Sequence, residues 1–210
     1  MIERTRARGR AGIGILIGLA GLIAAGGAAA LAATGEVKSI YTTIDLKSCK
    51  TLQKFEDGAS WYCPGTIDGY DVLLSEGDLR FMVSYGKPVD GKVPHAQTLK
   101  SFNTIFKGNS DRAALEWRAE RRGAVWIPYA TILRYYTSSD ASGQMVHGQV
   151  LVVSKVGIAT GADSCHVAYV DSRANKDANA LARKAADELA RTFDCLKEPV
   201  IYGKTGRSPM

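Results

Sequence analysis

Residues 165–171 read CHVAYVD and residues 176–195 read KDANALARKAADELARTFDC, with Ser172, Arg173, Ala174 and Asn175 between them. The first run is short and rich in β-branched and aromatic types, the composition of a strand. The second carries Leu181, Ala182, Ala185, Leu189, Ala190 and Phe193 at helical spacing, continued by Leu196. Arg183, Lys184, Asp187, Glu188 and Arg191 fill the opposite face. Two opposite-charge pairs there, Lys184–Glu188 and Asp187–Arg191, are spaced four apart. The pattern predicts a long C-terminal helix over 176–195, with Asn175 able to cap it.

A strand of about 20 Å, a short connection and a helix of about 30 Å fold back on themselves. Cys195 then returns past Cys165, inside the ~7 Å Cα separation that a disulfide needs. Cys49 and Cys63 pair by elimination, closing a loop of about 15 residues whose bridge contributes about 3 kcal/mol.

Working outward, residues 36–44 read as a strand. The centre of the Cys49–Cys63 segment, Phe55 to Gly58, reads as a loop. Residues 70–74 and 79–85 form a hairpin around Ser75, Glu76, Gly77 and Asp78. Pro88, Gly91 and Pro94 mark a surface loop. Leu99, Phe102, Ile105 and Phe106 recur at helical spacing, predicting a short middle helix over 96–107 closed by Gly108. Leu115, Trp117 and Ala119 then alternate with Glu116, Arg118 and Glu120, a strand with one polar face. Residues 124–136 follow as a strand in which Pro128 marks a bulge, bend or edge. Thr137 to Gly143 is a polar turn, and 146–156 and 164–171 are strands. The class is α+β: a mostly antiparallel sheet, a short middle helix, and the C-terminal helix packed on one face.

The N-terminus has its own logic. Arg4, Arg6, Arg8 and Arg10 precede an uncharged apolar run, Ala11 to Ala33, and Ala30-Leu31-Ala32 fits a small-residue cleavage site. Residues 1–33 therefore read as a signal peptide, or as an uncleaved membrane anchor over 11–33. Either way the arginines stay cytoplasmic and the rest of the chain is periplasmic or secreted, in the second case held at the inner membrane. The whole chain carries +6; without residues 1–33, 23 bases face 20 acids, or +3. So small a spread charge is not a nucleic-acid signature. Residues 34–198 make one disulfide-stapled domain, and 199–210 a flexible tail.

Several fragments mimic catalytic motifs. Ser84 with Lys87 matches S-x-x-K and Lys204-Thr205-Gly206 matches K-T-G, but Gly86 and Pro88 prevent the helix that the serine site needs. Glu198 stands where a phosphate-binding loop requires its first glycine. His95, His147 and His166 are too dispersed for a zinc site, so no metal and no cofactor is expected. His166 with Asp171 or Asp163 leaves only a bare acid–base pair. Glu116 and Glu120, beside Arg118 and Arg122, read as an exposed face of ion pairs. Trp126, Tyr129, Tyr135 and Tyr136 cluster around Arg134, residue types favoured at binding surfaces and ordinary in sheets alike.

Glu116-Trp117-Arg118, residues 130–135, residues 170–175, residues 179–183 and Gly77-Asp78-Leu79-Arg80 resemble an uncharacterised group of small exported proteobacterial proteins, over most of the exported domain. The resemblance implies an envelope location and brings neither an activity nor site residues. The expected function is a non-enzymatic binding or scaffolding module for another envelope protein or a cell-wall component, with no catalytic residue assigned. The alternatives are a small periplasmic hydrolase drawing on His166, Asp171 and Glu116, and an accessory subunit tethered through residues 11–33.

Overall fold

The computed structural model describes residues 35–67, 69–87, 97–141, 143–157 and 164–210. The expected signal or anchor and the Pro88–Pro94 loop lie outside the described residues. The first five strands are β1 (Val37–Asp45), β2 (Lys50–Lys54), β3 (Ala59–Ile67), β4 (Tyr70–Gly77) and β5 (Arg80–Gly86). Then come β6 (Phe102–Thr104), β7 (Arg112–Arg122), β8 (Val125–Ala141), β9 (Gln144–Lys155) and β10 (Cys165–Asp171). The helix α1 (Ala178–Leu189) and the strand β11 (Val200–Ile201) complete the chain.

Among the described residues two sheets and one α-helix make three layers. A small sheet runs β2-β3-β4-β5, and a large one runs β1-β7-β8-β9-β10-β11 with β6 also paired to β8. The main core lies between them: Val72, Leu74, Val83 and Tyr85 of the small sheet meet Leu115, Trp117, Leu133, Tyr135, Val150 and Val152 of the large one. A second core lies on the large sheet's other face. There Ala178, Ala182, Ala185 and Ala186 of α1 cover Ile132, Leu151, Val153, Ala168 and Val170. This is a β-rich α+β fold, in which alanine on the helix lets its backbone sit close to the sheet.

The helical expectations are corrected in two places. α1 has 12 residues, not 20, and Asn175 does not cap it; Asp177 holds the N-cap position, without a side-chain bond. Asn175 is engaged elsewhere, donating to the Asp171 carbonyl and pairing with both backbone groups of Lys204. Downstream of the helix end at Leu189, Asp194 accepts from the Leu196 amide in a separate turn, and Leu196 is 95% exposed. Among the described residues no helix is long and apolar enough to cross a membrane.

The middle helix is absent from the described part of its range. Leu99, Ile105 and Phe106 are buried as expected, but polar side chains capture the backbone between them. Asn103 accepts from the Phe81 amide and donates to Thr98 Oγ1 and the Ser101 carbonyl, while Thr104 Oγ1 accepts from the Phe106 amide. Such local bonds compete directly with helix formation.

Other boundaries shift for turn-chemical reasons. β4 runs on to Gly77, and the hairpin turn is Asp78-Leu79, with φ of 51° and 59°. The supposed polar turn over 137–143 is mostly strand, since β8 pairs with β9 as far as Ala141 opposite Gln144. Pro128 does sit at a bulge: Arg118 faces Ala130 and Ala119 faces Pro128, leaving Tyr129 over.

Residues 199–210, expected to be a flexible tail, make specific contacts with the large sheet. β11 runs parallel to β10, and Ser208 donates through both its amide and its hydroxyl to the buried Asp171 carboxylate. A Cβ at Gly206 would lie 2.1 Å from Asp171 Oδ2. The glycine of the K-T-G fragment is thus a steric necessity for this clasp. Disulfides join Cys49 to Cys63 and Cys165 to Cys195, which fits an oxidising, extracellular-type compartment. The second closes through the irregular segment after α1 rather than through a long helix.

Candidate functional site

The polar row of β7 faces α1 rather than solvent. Glu116, Arg118 and Glu120 stand two residues apart on the strand; Arg183 and Asp187 stand four apart on the helix, and Arg191, four further on, lies in the turn that follows it. Strand and helix rise by about 7 Å and 6 Å over those intervals, so the rows match rung for rung. Arg183 Nε donates to Glu116 at 2.6 Å, Arg118 Nε and Nη2 to Asp187 at 2.9 and 2.7 Å, and Arg191 Nε to Glu120 at 2.9 Å. The Glu116 side chain is 9% exposed and that of Arg118 11%. The expected exposed face is therefore a half-buried ladder of alternating sign. Tyr129, released by the bulge, donates to Asp187 and lies beneath the Arg191 guanidinium, 3.6 Å from its ring centre.

Because α1 is short, it leaves part of this sheet face uncovered. The gap beside its first turn is a groove of about 280 Å³. Ala114, Ile132 and Leu151 line its apolar part, and Tyr41, Tyr136, Lys107 and Arg134 its remaining sides. Tyr41 is 60% exposed, with its hydroxyl held by Arg183 Nη2 at 2.8 Å.

Arg134 is the group here whose chemistry is not already consumed. Its Nη1 donates to Ser172 Oγ at 2.7 Å and Gln149 Oε1 at 3.3 Å, and its Nη2 to Asn179 Oδ1 at 3.3 Å. All three acceptors are neutral. Among the described residues no carboxylate pairs with Arg134 or with Lys107, whereas Glu116 in the same groove is already matched by Arg183. The guanidinium is thus held in place, half-buried, with its charge unbalanced. A fixed fork of donors of this kind suits a carboxylate or phosphate.

The residues that sequence reasoning proposed for acid–base chemistry do not meet. Glu116 lies on the helix-side face of the large sheet, and Asp171 and His166 on the face towards the small sheet. Burial works against the Asp171 carboxylate, but bonds from Ser208, Arg173 and Ala174 outweigh it and hold its pKa below the usual range. Asp163 and His95 lie outside the described residues. His147 is exposed on β9. Ser84 is buried within a strand and Lys87 lies over the Tyr70 ring, so no S-x-x-K helix forms.

His166 has a partner that its spacing concealed. The bulge at Val167 puts His166 and Tyr169, three apart, on one face, and His166 Nδ1 is 2.9 Å from Tyr169 Oη. Nε2 is buried without a partner among the described residues, and burial lowers the His166 pKa from 6.5 to about 4. The imidazole is neutral at pH 7. Burial, then the nearby Glu198 charge, raise Tyr169 to about 12.

Of the aromatic cluster around Arg134, Tyr136 alone lines the groove. Tyr135 is in the main core, Tyr129 is on the ladder, and Trp126 carries the Lys38 ammonium 4.0 Å over its ring. Sequence reasoning passed over Gln149, Ser172 and Asn179. Their signal is chemical: three neutral acceptors on three elements converge on one arginine. Among the described residues no group of His, Cys, Asp and Glu could hold a metal ion. No family model, no curated protein and no solved structure matches this chain.

Proposed function

We propose that the chain is an exported, non-enzymatic binding module of the cell envelope that holds an anionic group of a cell-wall component at Arg134. One observation carries this reading: a half-buried guanidinium fixed by three neutral acceptors and ion-paired with no carboxylate among the described residues. Preorganised charge of this kind raises affinity by removing the ordering cost on binding. The Tyr41 and Tyr136 rings, on the same groove, offer apolar faces to a ring-shaped ligand.

The two disulfides support a periplasmic or secreted location, with residues 1–33 as signal peptide or, uncleaved, as inner-membrane anchor. Membership of the uncharacterised exported proteobacterial group is part of the same reading. The hydrolase alternative is the weaker reading, because Glu116 lies on the opposite face of the large sheet from His166 and Asp171 and pairs with Arg183, while Asp171 is held by Ser208.

Titration of the purified protein with galacturonate, followed by NMR shifts of groove residues, tests the proposal. Saturable shifts at Tyr136 and Asn179 that vanish in Arg134→Gln are the expected result. Shifts unchanged in that variant would overturn it.

A further inference from the structure

The Arg134 groove sits where β8 changes partner. Leu133 is the last β8 residue in register with β7, opposite Leu115, and Tyr136 is the first in register with β6, opposite Thr104. Arg134 and Tyr135 fall between them. The chain that leaves β6 and enters β7 walls the groove at this break, with Ile105, Lys107 and Arg112. A turn holds the Lys107 backbone there: its carbonyl accepts from the Ser110 amide at 3.2 Å, and Gly108 supplies left-handed backbone at φ 58°.

The charges around the groove do not balance. Its charged lining is Lys107, Arg112, Glu116 and Arg134. Arg112 Nε is 3.3 Å from Asp45, Glu116 is matched by Arg183, and the neighbouring Asp111 is taken by Lys47. Among the described residues Lys107 and Arg134 have no such counterpart. Arg134 uses three of its five N–H groups on Ser172, Gln149 and Asn179, leaving Nε–H and one N–H of Nη2. Tyr41 accepts from Arg183 Nη2, so its own hydroxyl proton can be donated to a ligand.

We propose that the anion taken by this groove is a phosphomonoester on a sugar, its phosphate shared by Arg134 and Lys107. This rests on the reading of Arg134 as an anion site and names the ligand's class. A single carboxylate leaves one of the two cations unbalanced. A phosphomonoester carries about −1.5 to −2 charge at pH 7 and three terminal oxygens. Two of those oxygens suit the remaining donors of Arg134, and the third suits the Lys107 ammonium, a point charge that needs no planar partner. The Tyr41 and Tyr136 rings offer their faces to the sugar. A volume of about 280 Å³ is at the small end for ligand pockets, the size for one sugar rather than a chain.

The test is calorimetric titration of the purified protein, at low ionic strength, with glucose 6-phosphate, galacturonate and inorganic phosphate. The wild type, Lys107→Gln, Arg134→Gln and Tyr136→Ala are compared, with circular dichroism confirming that each is folded. The wild type should bind glucose 6-phosphate about fivefold more tightly than galacturonate, the contribution of one exposed charge pair. Lys107→Gln should erase that preference and leave galacturonate affinity unchanged, and Arg134→Gln should weaken both ligands. A preference kept in Lys107→Gln, or none in the wild type, would overturn the phosphate assignment while leaving the Arg134 site standing. Weakening of neither ligand in Arg134→Gln would remove the underlying reading instead. Inorganic phosphate bound as tightly as glucose 6-phosphate, with neither affected by Tyr136→Ala, would overturn the sugar assignment.

Discussion

Arg118 on β7 and Asp187 on α1 meet through two parallel hydrogen bonds of 2.9 and 2.7 Å, at the centre of a three-rung ladder joining helix to sheet. The pair fixes the position of α1, and therefore the edge of the groove that α1 leaves open. Burial disfavours the Asp187 carboxylate, but the bonds from Arg118 and Tyr129 outweigh this and hold its pKa below the usual range.

Replacing Asp187 with Ala leaves Arg118, whose side chain is 11% exposed, without a counter-charge. Breaking a buried pair from one side costs about 3–5 kcal/mol; with Asp187 itself 36% exposed, a loss of about 2–3 kcal/mol is expected. Urea unfolding measures it. An unchanged midpoint would mean that the ladder contributes nothing to holding the helix.

Protonation of His166 links stability to pH. The ring is neutral in the fold, with a pKa of about 4, and recovers 6.5 when unfolded. Unfolding therefore takes up a proton between those values, so stability is full above pH 6.5 and falls as pH drops towards 4. The shift corresponds to roughly 3 kcal/mol. His166→Phe should flatten the decline between pH 6.5 and 4.5, where few carboxylates titrate. Parallel wild-type and variant curves over that window would refute the assignment.

The C-terminal clasp predicts that Gly206→Ala destabilises by about 1–3 kcal/mol, the range for overpacking against fixed atoms. The new methyl would meet the Asp171 carboxylate and the Ala174 Cβ at 2.1 and 2.7 Å. Thermal unfolding is the readout. A variant as stable as the parent would mean that residues 203–208 are not bound to the sheet.

Leu79 occupies the second position of a two-residue turn at φ 59° and is 64% exposed. A side chain there costs backbone strain and buries little. Leu79→Gly should raise stability by about 1 kcal/mol, seen as a higher unfolding midpoint; a lower midpoint would contradict the strained-turn reading.

How much of this was legible in the residues depended on which force set each element. Period two showed β7 because Leu115 and Trp117 are buried in the main core, β-branched and aromatic composition showed β1, and Pro128 marked its bulge for steric reasons. The expected helix over 176–195 is longer than α1 because Phe193 and Leu196 continue the apolar spacing, while the turn that follows Leu189 leaves no periodic trace. Leu99, Phe102, Ile105 and Phe106 mimicked a helix because a coil bonded to Asn103 can bury the same residues. The ladder was invisible since charge alternation on β7 looks alike whether water or a helix faces it. Arg134 was noted for its aromatic neighbours, but its three holders come from β9, the β10–α1 connection and α1, a convergence made only by tertiary structure.

The most direct measurement is the dissociation constant of galacturonate for the wild type and for Arg134→Gln, taken at low ionic strength by NMR titration. The account predicts saturable binding at the groove, weakened at least about tenfold by the loss of one charge-assisted fork. Equal affinity in the two proteins, or saturable binding whose shifts map away from Tyr136 and Asn179, would contradict it.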